Sequence, residues 1–193
     1  MKAARKSKNY HHGDLRNALR EAAIAILEDE GLAGLSLRAV ARKAGVSHAA
    51  PYRHYSNHEA LLVELAVEGY GELRVTIVAA AATPMEKADR ITAIGGAYMR
   101  FVSKRPALAK LMFGWRMAEH DAVPEFVAAA ESIGTEIGTM LGDPTLGLAV
   151  WSTVHGLAVL ILEDQIDLGQ RRAGSAVLPT RAEILLRSLF HNV

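Results

Sequence analysis

The hydrophobic pattern of the chain has a helical period along most of its length. From Asp14 onward, apolar side chains recur every three or four residues, and this stripe stops near Gly31. Such spacing is typical of one face of an amphipathic helix. A second stripe opens after Ser36, whose hydroxyl suits a helix N-cap, and ends at Gly45. No alternating strand pattern of useful length interrupts these stripes, so the pattern predicts an all-α fold.

The remainder of the chain continues the helical pattern. Asn57 can cap a long amphipathic segment from His58 to about Ala80, which at ~1.5 Å per residue would span about 30 Å. Prolines then stand repeatedly where apolar segments begin, and proline is tolerated in the first helical turn because its missing N–H would be unpaired there. Helices are predicted over residues 84–102, 106–118, 124–141, 144–166 and 179–191.

The stretch from Ser36 to Tyr55 predicts two short helices joined by a turn. Gly45 can adopt the left-handed backbone that closes a helix, and Ala41 is small enough for a second helix to cross closely. Ser47 can cap a second helix that runs through Tyr55. This arrangement is that of a helix-turn-helix, whose second helix enters the major groove of DNA.

Pro51 leaves an alternative open within this second helix. If the helix begins at Ser47, the proline still lies in the first turn and costs little stability. The alternative is a helix that begins nearer Pro51, with His48 held on an extended turn.

Charge is distributed unevenly between the two ends of the chain. The net charge is only +1, yet residues 1–58 hold ten Lys or Arg residues against five Asp or Glu residues. Five of the eight histidines lie in the same segment. A basic segment attracts phosphate and releases counterions on binding nucleic acid. The charge pattern therefore places the DNA-binding surface in the amino-terminal third.

Composition excludes several other classes of protein. The chain has 193 residues, half of them hydrophobic, and no cysteine. The absence of cysteine excludes disulfides, thiolate metal sites and cysteine catalysis, and is typical of a reducing compartment. We find no apolar run approaching the ~20 residues that span a bilayer and no signal peptide, so we expect a cytoplasmic protein without a membrane partner. No cofactor or metal motif is present.

Several motifs together resemble the TetR/AcrR family of regulators. The amino-terminal ones are Tyr10–Leu15, the turn from Ala41 to Ser47, the Tyr52-Arg-His-Tyr55 segment and Glu59–Leu62. Further on, Trp151-Ser-Thr-Val-His-Gly156 resembles the Trp-His-Gly type of regulatory domain found in one branch of the family. The resemblance implies a helix-turn-helix DNA-binding domain followed by a helical ligand-binding and dimerisation domain. We expect a basic arm over residues 1–12, the DNA-binding domain with its connecting helix over 13–72, and the regulatory domain over 73–193.

The resemblance also implies which side chains contact double-stranded DNA. Tyr52 and His54 match the family's phosphate-contacting pair, although packing of Tyr52 into the core is an alternative. Such contacts set the register on DNA, whereas base-edge contacts read sequence. A lysine is usual where this chain has His58, a weaker cation at neutral pH, so we expect a pH-sensitive phosphate contact there. The full predicted contact set is Arg38, Ser47, His48, Ala49, Tyr52, Arg53, His54 and His58.

In the carboxy-terminal part, the resemblance implies a ligand cavity and a dimer interface. His155 lies in an apolar stretch where an imidazole needs a hydrogen-bond partner, so a structural role and a ligand contact are both open. The predicted pocket residues are Tyr98, Phe101, Met112, Phe113, Trp115, Met117, Phe126, Trp151 and His155. The predicted interface residues are Leu148, Trp151, Val159, Leu160, Leu185 and Leu189, with Gly147, Ala149, Gly156 and Ala158 allowing close helix approach.

These observations predict a ligand-responsive transcriptional regulator. We expect a homodimer that represses from a palindromic operator and is released by a small-molecule effector, because two recognition helices about 34 Å apart read successive major grooves. One alternative is a constitutive DNA-binding protein without an effector. The other is a helical enzyme using Glu119, His120, Asp121 and His155, but these residues lack a nucleophile motif and metal-ligand spacing.

Overall fold

The computed structural model describes residues 12–114, 123–166 and 177–190. The described residues form α-helices and one short 3₁₀ helix, and contain no strand. This confirms the predicted all-α fold. The helices are α1 (His12–Gly34), α2 (Leu37–Lys43), the 3₁₀ helix (Pro51–Arg53), α3 (His58–Ala80), α4 (Lys87–Lys104), α5 (Pro106–Gly114), α6 (Pro124–Leu141), α7 (Pro144–Leu162) and α8 (Val177–Phe190).

The chain divides into two compact units, residues 1–62 and 63–193. Helix α3 is continuous across this division. The boundary between the DNA-binding and regulatory domains that the sequence predicted, at 72/73, also falls within α3. We refer below to the amino-terminal unit and the carboxy-terminal unit.

Local signals set the helix ends of the amino-terminal unit. The Ser36 hydroxyl accepts a 3.1 Å hydrogen bond from the Ala39 N–H, as the N-cap prediction requires. Gly31 and Gly45 both have a φ of 70°, in the left-handed region that favours glycine. Gly31 interrupts α1 near the predicted end of its stripe, and Gly45 closes α2 as predicted. Gly31 therefore kinks α1, which continues to Gly34, and Gly45 ends α2.

The second helix of the helix-turn-helix is shorter than the predicted helix that runs from Ser47 to Tyr55. Residues 47–50 form a turn, in which the Ser47 carbonyl accepts from the Ala50 N–H at 3.0 Å. A 3₁₀ helix then covers only Pro51–Arg53. Proline has no N–H to donate but suits a first helical position. The structure therefore corrects the Ser47 start and matches the alternative in which the helix begins near Pro51.

Asn57 caps the long helix as the sequence predicted. Its Oδ1 accepts a 2.8 Å hydrogen bond from the Ala60 N–H, and α3 runs from His58 to Ala80. An asparagine at this position satisfies one of the N–H groups that a helix start leaves unpaired. The predicted bounds of this helix are confirmed.

Helix α4 forms the centre of the carboxy-terminal unit. Ten of its residues are buried, and it packs against α8 and α7. Glycines allow two close approaches in this unit: a Cβ at Gly95 would collide with Leu186 of α8, and one at Gly147 would collide with the backbone of Gly138. Gly147 and the fully buried Ala158 thus serve packing inside the chain, which corrects their predicted part in a dimer interface.

Several predicted boundaries in the carboxy-terminal unit need correction. Helix α4 begins at Lys87 rather than at residue 84, because the chain at Glu86 is still extended. Helix α7 ends at Leu162, where Asp164 takes a positive φ of 54°. Helix α6 has the bounds predicted, and Gly142 closes it with a φ of 70°. The predicted ends near residues 118 and 191 lie outside the described residues.

Helix α7 also corrects the expectation that no apolar run approaches membrane-spanning length. Its 19 residues are long and apolar enough to cross a membrane by length and composition. Only 28% of that apolar window is buried within the chain. An apolar helix with so little intrachain burial leaves hydrophobic surface uncovered.

Candidate nucleic-acid interface and aromatic cluster

The predicted DNA-contacting residues of the amino-terminal unit lie mostly at its surface. Helix α2 positions Arg38 outward while Leu37, Val40 and Ala41 fill the core. The turn after Gly45 and the 3₁₀ helix carry the rest of the set. The exposed members are Arg38, Ser47, His48, Ala49, Tyr52, Arg53 and His58.

The two tyrosines of this segment have opposite environments. Tyr52 is 55% exposed, so the alternative that it packs into the core is wrong. Tyr55 is only 2% exposed and anchors the segment among the buried aliphatic side chains. Because one ring holds the segment and the other faces water, Tyr52 is available for contact with a partner.

His54 differs from the other predicted contact residues because it is half-buried. Its Nε2 atom is buried and has no hydrogen-bond partner among the residues that the structure describes. A buried polar atom without a partner is uncommon in proteins. A phosphate contact of His54 stays a prediction.

An ion pair joins the end of α2 to α1. Lys43 contacts Asp29 at 3.0 Å, between exposed side chains. Exposed pairs of this kind contribute ~0–1 kcal/mol. Arg38, Arg42 and Arg53 also lie at the surface, and the stretch 36–58 that carries them contains no Asp or Glu.

An aromatic cluster lies inside the carboxy-terminal unit and joins five helices. It consists of Tyr70, Tyr98, Phe113, Phe126, Trp151 and His155. Phe113 of α5 lies at its centre, stacked against Tyr98 with ring centroids 6.0 Å apart and planes 19° apart. The His155 ring meets Phe113 at 4.7 Å and 76°. These edge-to-face and stacked geometries are favourable for aromatic pairs.

Hydrogen bonds orient the polar members of this cluster. The Tyr98 hydroxyl and His155 Nδ1 lie 2.9 Å apart and form a hydrogen bond between α4 and α7. Because the phenol hydroxyl can donate or accept, either tautomer of the neutral imidazole makes this bond. His155 thus has the hydrogen-bond partner that its apolar surroundings require.

Burial keeps these groups uncharged. Burial raises the pKa of Tyr98 far above its ordinary value of 10.0 and lowers the pKa of His155 below 6.5. It also raises the pKa of Tyr70 to about 12. The Tyr70 hydroxyl donates a 2.9 Å hydrogen bond to the Met112 carbonyl. The cluster is therefore neutral at physiological pH.

Sequence reasoning missed Tyr70 as a member of this cluster. It contacts both Phe113 and Phe126, with centroid distances of 6.3 and 5.7 Å. Its position between Ala66 and Leu73 on the apolar stripe of α3 was the available signal. Of the other predicted pocket residues, Phe101 and Met112 are buried, and Trp115 and Met117 lie outside the described residues.

Trp151 also borders an open groove between α6 and α7. The groove has a volume of about 640 Å³ and is lined mainly by apolar and small residues. Trp151 packs its six-membered ring against Gly134, where a Cβ would stand 2.8 Å from Cε3 of that ring. Trp151 thus contacts His155 on one side and lines an open surface on the other.

The predicted interface residues of α7 and α8 include several exposed leucines. Leu148 and Leu189 are each 55% exposed, and Leu160 and Leu185 are also exposed. Val159 and Trp151 are half-buried. Ile184, at 64% exposed, extends this apolar surface on α8. Both helices therefore present uncovered apolar side chains.

Only His155 of the enzyme alternative lies within the described residues. Glu119, His120 and Asp121 lie outside the described residues, and His155 is bonded to Tyr98. Within the described ranges, no group of three or more His, Asp or Glu side chains could hold a metal ion.

Comparisons with known proteins identify the family. The sequence model of the TetR family of bacterial regulatory proteins matches residues 19–65. The model of the tetracyclin repressor-like C-terminal domain matches residues 91–182. The chain belongs to the TetR family and is a DNA-binding transcriptional regulator. Regulators of this family are not enzymes, which agrees with the prediction from the motifs.

Individual relatives agree with this assignment. An HTH-type transcriptional regulator of Mycobacterium tuberculosis is 35% identical over 104 residues, which are 53% of this chain and 44% of the relative. The chain thus matches less than half the length of that relative. A Rhodococcus protein of unknown function shares 31% identity with a TM-score of 0.69, covering 94% of this chain and 98% of that one.

A more distant structure shares the fold alone. The transcriptional regulator FadR from Bacillus subtilis, solved in complex with stearoyl-CoA, has a TM-score of 0.68 at 13% identity. The match covers 89% of this chain and 97% of FadR. The family match also includes α7, so this apolar helix belongs to the TetR-like C-terminal domain.

Proposed function

We propose that this regulator is a cytoplasmic homodimeric repressor that a small-molecule effector releases from a palindromic operator. The observation that supports DNA reading best is the exposed set that follows Gly45. Tyr52, His48 and Arg53 face solvent from a segment that Ser36, Gly45 and Tyr55 hold in place. A segment that is held in place and exposes polar groups is suited to contacts with phosphates and base edges.

The apolar face of α7 and α8 supports dimerisation. Leu148, Leu189 and Ile184 each expose more than half of their surface, and α7 is poorly buried within its own chain. A second copy would cover this face and remove its apolar area from water. A two-fold dimer also places two reading surfaces on one palindromic site.

The aromatic cluster supports effector binding in the carboxy-terminal unit. Ligand pockets are lined mainly by apolar and aromatic side chains with a few polar groups that orient the ligand. Here five helices contribute such side chains, and Tyr98 and His155 supply the polar groups. An effector that binds one arrangement of these helices better than another would shift the protein toward that arrangement.

DNA binding is tested with duplexes selected from a random pool by the full chain. Tyr52→Ala and Arg38→Ala should each weaken binding to the selected duplex, measured by fluorescence anisotropy at several salt concentrations. Arg42→Ala is the matched control, because Arg42 is an exposed arginine of α2 outside the predicted contact set. Equal losses in all three variants would refute the assigned contacts, since removing any positive charge weakens non-specific binding.

The dimer is tested by sedimentation of single-site variants. Leu148→Glu and Leu189→Glu should each shift the protein toward the monomer, because burying an unpaired carboxylate is costly. Val75→Glu is the matched control, since Val75 is 63% exposed on α3 and lies outside the proposed interface. A monomeric wild-type protein, or dimers that survive both leucine changes, would refute this interface.

The alternative is a constitutive DNA-binding protein without an effector. It is favoured by one observation, that Phe113 fills the centre of the aromatic cluster. Thermal unfolding in the presence of a metabolite panel separates the two, because a ligand specific for the folded state raises the unfolding temperature with its concentration. A ligand that also releases DNA supports the sensor, whereas none doing so supports the alternative.

A further inference from the structure

The centre of the aromatic cluster is occupied by a ring that is only half-buried. Phe113 of α5 is half-buried, whereas Tyr98 is 1% exposed, Tyr70 5% and Phe126 9%. Its ring stacks on Tyr98 and meets His155 edge to face. The walls of the cluster thus hold a phenyl ring that solvent still reaches.

The walls are held in place by contacts that do not involve Phe113. Tyr98 bonds to His155, which joins α4 to α7. Tyr70 is held by its 2.9 Å hydrogen bond to the Met112 carbonyl and by its ring contact with Phe126. Because these bonds are independent of the Phe113 ring, the walls keep their geometry when that ring turns away. The space then released has the shape of a planar six-membered ring.

The chemistry of the walls selects for an uncharged occupant. The ring contacts and hydrogen bonds that join the six cluster residues include no carboxylate, ammonium or guanidinium group. A charged ligand would lose its hydration there without gaining an opposite charge. The neutral Tyr98–His155 pair instead offers hydrogen bonds to a hydroxyl or carbonyl group.

We propose that the aromatic cluster binds an uncharged planar aromatic molecule whose ring replaces that of Phe113 and whose hydroxyl or carbonyl group bonds to the Tyr98–His155 pair. This inference rests on the proposed effector function and names the chemical class of the effector. The ring of the ligand takes over the stacking on Tyr98, and the Phe113 ring turns away from the cluster.

Four probes of similar size test this class on the full-length protein at neutral pH. Toluene, phenol, benzoate and benzylamine differ in polarity and charge but each carries one benzene ring. Calorimetry should show binding of phenol and weaker binding of toluene. The two charged probes should bind at least about ten-fold more weakly than phenol, because of the uncompensated desolvation of their charges.

Variants of the cluster distinguish binding in place of the Phe113 ring from binding elsewhere on the protein. Phe113→Ala should bind phenol and toluene about ten-fold more tightly, because no side chain competes for the space. Phe113→Leu is the milder variant for use if the alanine variant unfolds, and should tighten binding to a smaller degree. Tyr98→Phe should abolish the preference for phenol over toluene. Met99→Ala is the control, since it truncates a fully buried side chain of α4 outside the predicted pocket and should leave affinity unchanged.

Defined outcomes overturn the inference. It is overturned when benzoate or benzylamine binds as tightly as phenol, or when neither Phe113 variant tightens binding. It is also overturned when neither phenol nor toluene binds the wild-type protein. DNA affinity, measured separately, tests the proposed function: an aromatic probe that binds without changing it supports the site and refutes effector release. Release by stearoyl-CoA alone would refute the aromatic class and leave effector control intact.

Discussion

The two units of this protein use aromatic side chains in opposite ways. The amino-terminal unit buries Tyr55 among aliphatic residues and exposes Tyr52 to solvent. The carboxy-terminal unit packs Tyr70, Tyr98 and Phe113 against one another. Removing a ring that faces water changes the free energy of unfolding little, whereas removing a ring of the cluster also removes contacts of its neighbours. Substitution of the exposed Tyr52 should therefore change binding without changing stability, whereas substitution of a cluster ring should change both.

The largest expected effect comes from removing a wall of the aromatic cluster. Tyr98→Ala should lower the free energy of unfolding by about 3–5 kcal/mol, the usual range for truncating a buried aromatic ring. It also leaves His155 Nδ1 without its partner. Urea unfolding followed by circular dichroism measures the change. A loss below about 1 kcal/mol would mean that the cluster is not part of the stable core.

The next effect tests the turn that positions the reading surface. Gly45→Ala should destabilise the protein by about 1–2 kcal/mol, because alanine is strained at a φ of 70°. Gly71→Ala is the matched control, since Gly71 lies in the middle of α3 and a Cβ there meets nothing within 4 Å. Alanine at that position should instead stabilise α3, by up to about 1 kcal/mol. Thermal unfolding of both variants should show opposite signs.

Removing the exposed ring tests the other side of the comparison. Tyr52→Ala should weaken DNA binding about ten-fold, or ~1.4 kcal/mol, as expected for a hydrogen bond to a charged group. Its free energy of unfolding should stay within about 0.5 kcal/mol of the wild type, since Tyr52 is 55% exposed. Tyr52→Phe removes only the hydroxyl, so its DNA affinity separates the contribution of the hydroxyl from that of the ring. A large loss of stability would contradict the surface assignment.

The smallest expected effect is a pH dependence that belongs to the carboxy-terminal unit. Because burial lowers the pKa of His155 below 6.5, the unfolded chain takes up a proton more readily than the folded one. The contribution of neutral His155 to stability is therefore complete above pH 6.5 and decreases as the pH falls below that value. His155→Gln should reduce this decrease, measured as the difference in unfolding free energy from wild type across that range. Parallel curves would show that His155 is not responsible.

Local interactions explain which parts of the fold were predictable. Ser36 and Asn57 cap helices through hydrogen bonds to residues three positions away, so the sequence contains the whole signal. Gly45 likewise closes α2 through its own backbone freedom. The sequence did not predict where the helix at Pro51 starts, because proline suits the first turn of a helix from either starting point.

Contacts between distant residues explain what was missed. Tyr70 and Phe113 are 43 positions apart in the sequence and meet through ring contact. Gly147 has the composition of an interface residue, yet it packs on Gly138 within the chain. A small residue permits close approach from any partner, so its type does not reveal which helix approaches. The partner is decided by how the helices of the unit assemble.

The sequence by itself determined the helical class, the caps and turn of the reading segment, the basic amino-terminal third and the resemblance to TetR regulators. Each depends on periodicity, on charge or on bonds within a few residues. Only the tertiary structure decided that His155 bonds to Tyr98, that Phe113 occupies the aromatic cluster, and that Leu148 and Leu189 remain exposed. These features depend on which side chains meet across helices, and burial then sets their charge and their availability to partners.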